Sequence, residues 1–442
     1  MSYVLVDASQ IDFAVTADTL GPNDLILYSF EGKEALSTLF RFQAVFRSSR
    51  NDIPVQTLIG KSITISVKLP EGSRHFNGIL GSFTQGGTAA ADSEDEVTYY
   101  HATLYPKLWK LCFSSDCKIF QHKSALDIIK AVLSSHGVAI QDKTQGAGTT
   151  ERAYCVQYNE THFNFISRLM EAEGIFYYFD HQKGSHTMIL ADDCGAHKKC
   201  SSVSSVEMSL SGQDGIPLHQ VVEASYQAQL VSSDFQHVDF DYKKPSTQLR
   251  SAVSGGGDAI AGKLYEFPGD FLVSGDGDGL ANIHLQEVEA LKVTLCGSTT
   301  APFFASGATF TLKKHPRDDL NQDYILYSLD HKMTVEPADT GDALSYLNKF
   351  VAYPDDVTFR APRVSLRPRI HGTQTAIVTG KAGEEIWTDK YGRIKVKFHW
   401  DQVGASDETS SCWVRVSQGW ASSGGEFYLW RSGSSLGHRG RL

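Results

Sequence analysis

Over its first 360 residues the chain alternates between polar and apolar positions more often than it cycles with helical spacing. Residues 62–69, Ser-Ile-Thr-Ile-Ser-Val-Lys-Leu, alternate with period two between glycine and proline punctuation, which predicts a strand with one face turned to a core. Three segments carry helical spacing instead. Ser124 with Asp127 three residues on forms a capping box, Leu126, Ile129, Val132 and Leu133 make one stripe, and Gly137 supplies a left-handed stop. A second helix is predicted over residues 159–173, with Phe163, Ile166, Leu169 and Met170 inward and Gly174 as terminator. A third is predicted over residues 280–291, with Leu280, Ile283, Val288 and Leu291 inward. After residue 370 short strands are predicted at 376–378, 385–388, 393–400 and 412–416, separated by tight turns, a pattern that suits a small OB-type barrel. The pattern as a whole predicts a mainly β protein with a few helices.

Length and charge divide this picture. At roughly 150 residues per domain, 442 residues hold two to four domains, and 41 basic against 51 acidic residues leave a net charge of −10. That charge is uneven: residues 360–442 contain 13 basic and 7 acidic residues, net +6, whereas residues 1–359 are net −16. The change falls at Phe359-Arg360-Ala361-Pro362-Arg363-Val364-Ser365-Leu366-Arg367-Pro368-Arg369, whose prolines and arginines read as an extended connector. The main boundary is therefore placed there. Charged or polar residues interrupt every apolar stretch before the roughly 18 residues needed to cross a bilayer, and residues 1–7 lack the features of a secretory signal. The expected compartment is the cytoplasm until something else moves the protein.

The candidate chemistry is sparse. Seven scattered cysteines argue against a disulfide framework. Cys194, His197 and Cys200 carry donors that zinc accepts, but Cys-x-x-His-x-x-Cys is not a common zinc spacing and Lys198 and Lys199 add positive charge; a polar surface loop accounts for the same residues. Residues 257–263 fit the glycine and lysine positions of a phosphate-binding loop, yet Leu264 has no hydroxyl for magnesium and no buried strand precedes it. Residues 433–437 match a nucleophile elbow without room for the helix that must follow. Residues 275–279 resemble a calcium loop but lack a closing glutamate, and read as an acidic turn before the third helix. No catalytic, cofactor-binding or metal site is assigned. The cations Arg393, Lys395, Lys397 and Arg415 beside Trp387, Tyr391, His399 and Trp400 would suit an OB-type nucleic-acid binder, but the modest positive charge favours a solvated strand face over an aromatic core.

Longer motifs carry a family resemblance. Arg152-Ala153-Tyr154-Cys155-Val156-Gln157-Tyr158-Asn159-Glu160-Thr161-His162-Phe163, continuing to Gly174-Ile175-Phe176-Tyr177-Tyr178-Phe179, resembles the hub region of VgrG proteins, the spike components of type VI secretion systems. So do Tyr105-Pro106-Lys107-Leu108-Trp109-Lys110-Leu111, Ile119-Phe120-Gln121 leading into Asp127-Ile128-Ile129, and Tyr265-Glu266-Phe267-Pro268-Gly269. Farther on, residues 385–396 and Trp413-Val414-Arg415-Val416-Ser417-Gln418-Gly419-Trp420 are similar to the same family's neck barrel. The resemblance covers residues 20–425, with the motifs in family order.

The resemblance implies a non-enzymatic machine part: a phage-hub-like module with two β-barrel subdomains over residues 1–359, an Arg/Pro linker over 360–370, an incomplete OB-fold over 371–429 and an aberrant tail over 430–442. It implies a homotrimer that caps a hexameric Hcp-like tube, contacts baseplate and sheath components, helps puncture the target envelope and delivers effectors. In the family a three-stranded β-helix usually follows, tipped by a PAAR-type protein. Export would use the secretion apparatus itself, without a signal peptide, into the medium or a target cell. The hub of a contractile phage tail is the near alternative, and an OB-type nucleic-acid binder the distant one. Where the family continues with Pro-Arg-Ile-Gly-Gln-Glu-Val, this chain runs through a Ser, Gly and Arg-rich stretch from Trp430 to Leu442, expected to be frame-shifted or truncated and disordered.

Overall fold

A computed structural model describes residues 12–17, 20–21, 24–69, 72–90, 96–200, 203–209, 219–255, 262–336 and 343–417. Strands β1 (Asp12–Ala17), β2 (Ile26–Ala35), β3 (Arg41–Ser48), β4 (Ser62–Leu69), β5 (Gly72–Ala90) and β6 (Glu96–Tyr105) form an antiparallel sheet in the order β1-β4-β5-β6-β3-β2. Its two end strands come into contact with each other. A mixed layer follows, made of β7 (Ser115–Phe120), helix α1 (Ala125–Ser135), β8 (Cys155–Thr161), helix α2 (His162–Glu173) and the hairpin β9 (Phe176–Gln182) and β10 (Ser185–Ala191).

The second half is a true barrel. Strands β11 (Ser205–Met208) and β12 (Gln220–Ala228) lead to an insertion of three short strands, β13 (Asp234–Asp239), β14 (Leu249–Ser254) and β15 (Lys263–Glu266), covered by helix α3 (Ser274–Glu289). Strands β16 (Val293–Thr299), β17 (Ala308–Lys313), β18 (Asp323–Glu336) and β19 (Ala343–Pro354) return to the main sheet. The ladder β18-β19-β16-β12-β11-β17 closes on itself through a β17–β18 pairing, so six strands form a closed ring. Closure removes the sheet edges that would otherwise be exposed.

Strand β18 belongs to both halves. Residues 323–325 pair with β17 in the closed barrel, while residues 328–334 pair with β2 of the first sheet. A register shift against β19 lies between Leu326 and Ser328, leaving Tyr327 as the extra residue at the hand-over. One hydrophobic cluster runs from Val15, Phe30 and Phe42 in the first sheet through Leu329 and Met333 to Phe310 and Phe350 in the second barrel. The two halves therefore share a core.

Local sequence explains much of this. Ile63, Ile65 and Val67 of β4 are buried as their alternation predicts. The opposite face is also covered, because Thr64 accepts a hydrogen bond from Asn77 Nδ2 at 2.7 Å and from the Gly184 amide of the β9–β10 turn at 3.1 Å. Helix α1 begins as read, with Ser124 Oγ accepting from the Asp127 amide at 3.1 Å. Helix α2 starts three residues later than expected, capped by Thr161, and stops at Gly174, whose φ of 70° favours glycine.

Helix α3 departs from its expected form. It begins at Ser274, so the glycine-rich stretch 275–279 is its first turn and not a loop before it. The buried stripe is Gly277, Ala281, His284 and Leu285, not Leu280, Ile283, Val288 and Leu291. The reason is a close approach: a Cβ at Gly277 would sit 2.6 Å from the Phe271 ring, so glycine lets the helix press onto β13 and β14. Asp276 in that first turn complements the positive end of the helix.

Residues 358–375 form no helix or strand. Beyond them β20 (Ala376–Thr379) pairs antiparallel with β21 (Lys395–Phe398), and Ile394 makes an isolated bridge with Val414. The stretch 385–388, read as a strand, is irregular. It is held through Trp387, which packs against Gly380 and stacks with Trp413 at 6.4 Å, while Ile386 is 78% exposed. Side-chain anchoring has replaced a ladder there. The expected continuation over 418–429 and the tail over 430–442 lie outside the described residues.

Candidate functional site: the buried joint and the arginine strap

Two places where the parts of the fold are joined gather its buried and paired polar side chains.

The first is a buried polar network where β2 meets β18. Position 34 faces inward on β2, which places a carboxylate inside the shared core. Glu34 Oε1 accepts from Arg74 at 3.0 Å and from His331 Nε2 at 2.9 Å, and Glu34 Oε2 accepts from Ser306 Oγ at 3.3 Å. With Nε2 donating, His331 Nδ1 is free to accept from the Tyr346 hydroxyl at 2.8 Å, and that oxygen accepts from Asn348 Nδ2 at 3.1 Å. Asn348 also donates to the Ala301 carbonyl at 2.8 Å. The network thus ties β2, β5, β18 and β19 to the β16–β17 connection. Burial alone would raise the Glu34 carboxyl, but Arg74 and the His331 bond overcome it and hold it down to about 2. Burial also pushes the Tyr346 phenol up, so it stays neutral and able to donate.

A second group of buried polar side chains lies beside the first. His186 Nδ1 contacts Asn77 Oδ1 at 2.7 Å and its Nε2 accepts from the Lys107 amide at 2.9 Å, while His181 Nδ1 lies 3.2 Å from the Asn77 amide. Burial pushes His186 down to about 4 and His181 well below the ordinary range. These imidazoles act as neutral struts between the β9–β10 hairpin and the first sheet.

The second place is the Arg/Pro connector. Phe359 and Ala361 are buried with Phe176, Tyr178 and Tyr353 in a second apolar cluster. Between them Arg360 donates to the Gly174 carbonyl at 2.6 Å, the Asp192 carbonyl at 2.8 Å and Gln286 Oε1 at 2.9 Å. Arg363 pairs with Glu287 at 2.9 Å and with Glu266 at 3.0 Å, Ser365 donates to Glu171 at 2.9 and 2.7 Å, and Arg367 pairs with Asp270 at 2.8 Å. Burial raises the Glu171 carboxyl despite the Ser365 bonds. Burial would do the same to Glu287, but bonds from His284 and Arg363 outweigh it and lower the carboxyl. The connector is extended, as its prolines require, and is strapped across α2, α3 and the inserted sheet. A cleft of about 540 Å³ opens beside it, and three of its charged lining residues, Arg152, Arg363 and Arg367, are paired with Glu173, Glu266 and Asp270.

Beyond the strap, the last segment rests on the preceding part of the chain through polar and aromatic contacts. Gln121 Nε2 donates to the Thr409 carbonyl at 2.7 Å, Trp400 stacks edge-on against Tyr158 at 5.4 Å, and Arg393 donates to the Tyr242 hydroxyl at 2.9 Å. The four cations considered as a nucleic-acid face do not form one stripe. Arg393 pairs with Asp389, Lys395 lies over Trp413, Lys397 donates to the Gly404 carbonyl and Arg415 lies over Tyr242.

The Cys194, His197 and Cys200 group is not a polar surface loop. His197 stacks on Phe176 at 5.3 Å and Tyr178 at 5.7 Å, its Nδ1 donates to the Gly307 carbonyl at 2.9 Å, and burial pushes it down to about 4. Cys200 is buried, which pushes its thiol up to about 12. Among the described residues no group of three or more His, Cys, Asp or Glu side chains is placed to hold a metal ion, and no helix is long and apolar enough to cross a membrane. Leu264 is described, but most of the phosphate-loop stretch (257–261) and all of 433–437 lie outside the described residues.

Sequence reasoning missed Glu34, Arg74, His331, Tyr346 and Asn348 altogether. The one signal was a charged residue at the inward parity of β2, visible only once the strand phase is known.

Comparison with known proteins places these features in context. The model of the phage tail baseplate hub (GPD) family matches residues 33–337. The type VI secretion system spike protein VgrG1c of Pseudomonas aeruginosa is 35% identical over an alignment covering 91% of this chain and 56% of that protein, so the chain spans little more than half of that relative. Among solved structures, the E. coli c3393 protein is described as a type VI secretion component structurally similar to the T4 tail proteins gp27 and gp5. It superposes with a TM-score of 0.63 at 18% identity, covering 87% of this chain and 88% of that one. A chain of the half-lidded Francisella PdpA-VgrG complex superposes with a TM-score of 0.57 at 9% identity, covering 97% of this chain and 75% of that one.

Proposed function

Because the chain belongs to the phage tail baseplate hub (GPD) family and is homologous to VgrG spike proteins, we propose that it is the hub portion of a type VI secretion spike. In that role it caps the secreted tube, transmits the push of sheath contraction and helps carry effectors through the target envelope. The observation that carries this reading is the fusion of a closed six-stranded barrel to a second six-stranded sheet through one shared strand and one continuous core. A load applied to either half is borne by ladder hydrogen bonds and buried side chains and does not open a loop.

The finer parts of the reading follow from family membership. The chain divides into a hub over residues 1–359, a linker over 360–370, an incomplete OB-type neck domain over 371–429 and a tail. It works as a homotrimer, whose six barrel-like units would match a hexameric Hcp-like tube. Baseplate and sheath components contact the hub. A PAAR-type tip protein and effectors would be carried by the part of full-length relatives that this chain does not span. The hub is non-enzymatic and leaves the cell through the apparatus it caps. Light scattering on this chain and on a version extended to the length of its relatives tests the reading: a trimer of the extended chain supports it, and a strict monomer in both overturns it.

A further inference from the structure

The strap crosses α3 at a buried histidine. His284 is 6% exposed, and its Nε2 lies 3.4 Å from Arg363 Nη1 while its Nδ1 faces Glu287 Oε2 at 3.7 Å. A guanidinium has no acceptor to offer, so Nε2 accepts, and the contact exists only while the ring is neutral with its proton on Nδ1. The carboxylates that could favour an imidazolium are committed to Arg363. Its amide and Nε donate to Glu287 at 2.9 Å, and its Nη1 donates to both oxygens of Glu266 at 3.0 Å. A proton added to His284 would set a second cation against Arg363, in competition for the same two carboxylates.

The module under the strap has little apolar core to resist this. The buried cluster beneath α3 is Phe235, Ala281 and Leu285, and two imidazoles share its space. His237 is fully buried, its ring centre lies 6.2 Å from that of His284, and both rings pack on Phe235. His237 Nε2 donates to the Gly277 carbonyl at 2.8 Å, which leaves Nδ1 buried without a hydrogen-bond partner among the described residues. Burial pushes this ring below its ordinary range. The charged groups around the two rings are Glu266 of β15, Glu287 of α3 and Arg363 of the strap. β14 places uncharged Ser251 opposite His237, and Glu171 of α2 feels the charge of Glu287.

We propose that His284 is an acid-operated catch: neutral, it holds Arg363 and the strap on α3; protonated, it expels Arg363, frees the strap and loosens the last segment that the strap carries. The docked strap excludes a proton that the released strap admits, so docking weakens as pH falls through the imidazole range, by up to about tenfold per pH unit for each ring involved. The catch stands independently of the spike reading.

Hydrogen exchange of residues 360–369, read by mass spectrometry at pH 7.5, 6.5 and 5.5 and corrected for the intrinsic pH dependence of exchange, tests this. The Arg363 and Ser365 amides report docking, because they donate to Glu287 and Glu171. In the wild type their protection should fall at least tenfold between pH 7.5 and 5.5, while the barrel strand 343–354 keeps its own. His284→Gln, neutral at every pH and able to accept from Arg363 through its side-chain oxygen, should keep the strap protected throughout. Arg363→Gln, at a partly exposed strap position, should exchange fast at every pH without further response, and it decides the matter alone if His284→Gln fails to fold. Glu171→Gln should retain the wild-type response. A wild-type strap equally protected at pH 7.5 and 5.5, or an acid response that survives His284→Gln or Arg363→Gln, overturns the inference. Loss of the response in Glu171→Gln also overturns it, by assigning the trigger to that carboxylate.

Discussion

The closed barrel and the last described segment are built from similar short, alternating strands, yet they hold together differently. In the barrel every strand has at least two hydrogen-bonded neighbours, and the inward set of Phe310, Leu326, Phe350 and Ala352 belongs to the continuous core. In residues 371–417 the described ladder is one pair, β20 with β21, while Ile377 and Val378 remain exposed. What fixes that segment is a handful of side chains: Trp387 on Trp413, Trp400 on Tyr158 and Arg393 on Tyr242. The difference teaches that alternation predicts strand-like faces but not whether a ladder forms. Closure needs partners, and here the hub supplies some of the contacts that neighbouring strands supply in the barrel.

The comparison can be broken most severely with acid. His186 and His197 are held at about 4, against an ordinary 6.5, by burial within the hub. The unfolded chain therefore takes up protons first. Hub stability is full above about pH 6.5, falls by about 3 kcal/mol per imidazole as pH drops towards 4, and changes no further from these groups below that. Glu34, held at about 2 against 4.5, adds a second loss between pH 4.5 and 2 as its carboxylate is protonated. Thermal melting followed at pH 7.5, 5.5 and 4 should show the hub transition falling steeply.

Next in size is Glu34→Ala, which leaves Arg74 and His331 without their shared anion in a buried site and should cost about 3–5 kcal/mol in denaturant unfolding. A cost below 1 kcal/mol would mean that the joint contributes no stability to the hub. Arg360→Ala sharpens the boundary between the two regions. It removes three hydrogen bonds from the strap but none from the barrel, so it should cost about 1–2 kcal/mol. Proteolysis near residues 360–370 should accelerate while the hub transition moves little. The smallest effect is expected for Lys33→Ala, which breaks an exposed pair with Asp330 at 3.6 Å. Melting should register no more than about 0.5 kcal/mol, even though Lys33 is next in sequence to Glu34.

That adjacency also shows how far the sequence could be read. The helix caps at Ser124 and Gly174 were legible because the signal and the structure lie within four residues of each other. The Arg/Pro connector was legible as extended, since proline dictates it, but its anchors Glu171, Asp270, Glu266 and Glu287 lie 70 to 200 positions away and carry no local mark. Glu34 was illegible for the same reason: Gly-Lys-Glu-Ala reads as a solvated edge until His331, 297 residues on, lies beside it. The stripe of α3 was misread because the glycine that sets it, Gly277, contributes no hydrophobicity to the pattern. The family resemblance placed the chain among spike hubs, and it too left the joint unmarked.

The shared strand has an evolutionary consequence. Before Tyr327 the side chains of β18 that join the continuous core are the even-numbered Tyr324 and Leu326, with Ile325 buried in the second apolar cluster on the other face; after it the core-facing set is the odd-numbered Leu329, His331 and Met333. The bulge is thus a phase converter between two structures that would otherwise disagree about which positions face inside. Deleting one residue here, or adding one, would turn the core-facing side chains of one part of β18 outward while leaving the other part correct. Such a lesion has no partial remedy, so this strand should drift by substitution and not by change of length. Changes of length are better borne elsewhere, as between β12 and β16, where a three-stranded sheet and α3 lie outside the closed ring.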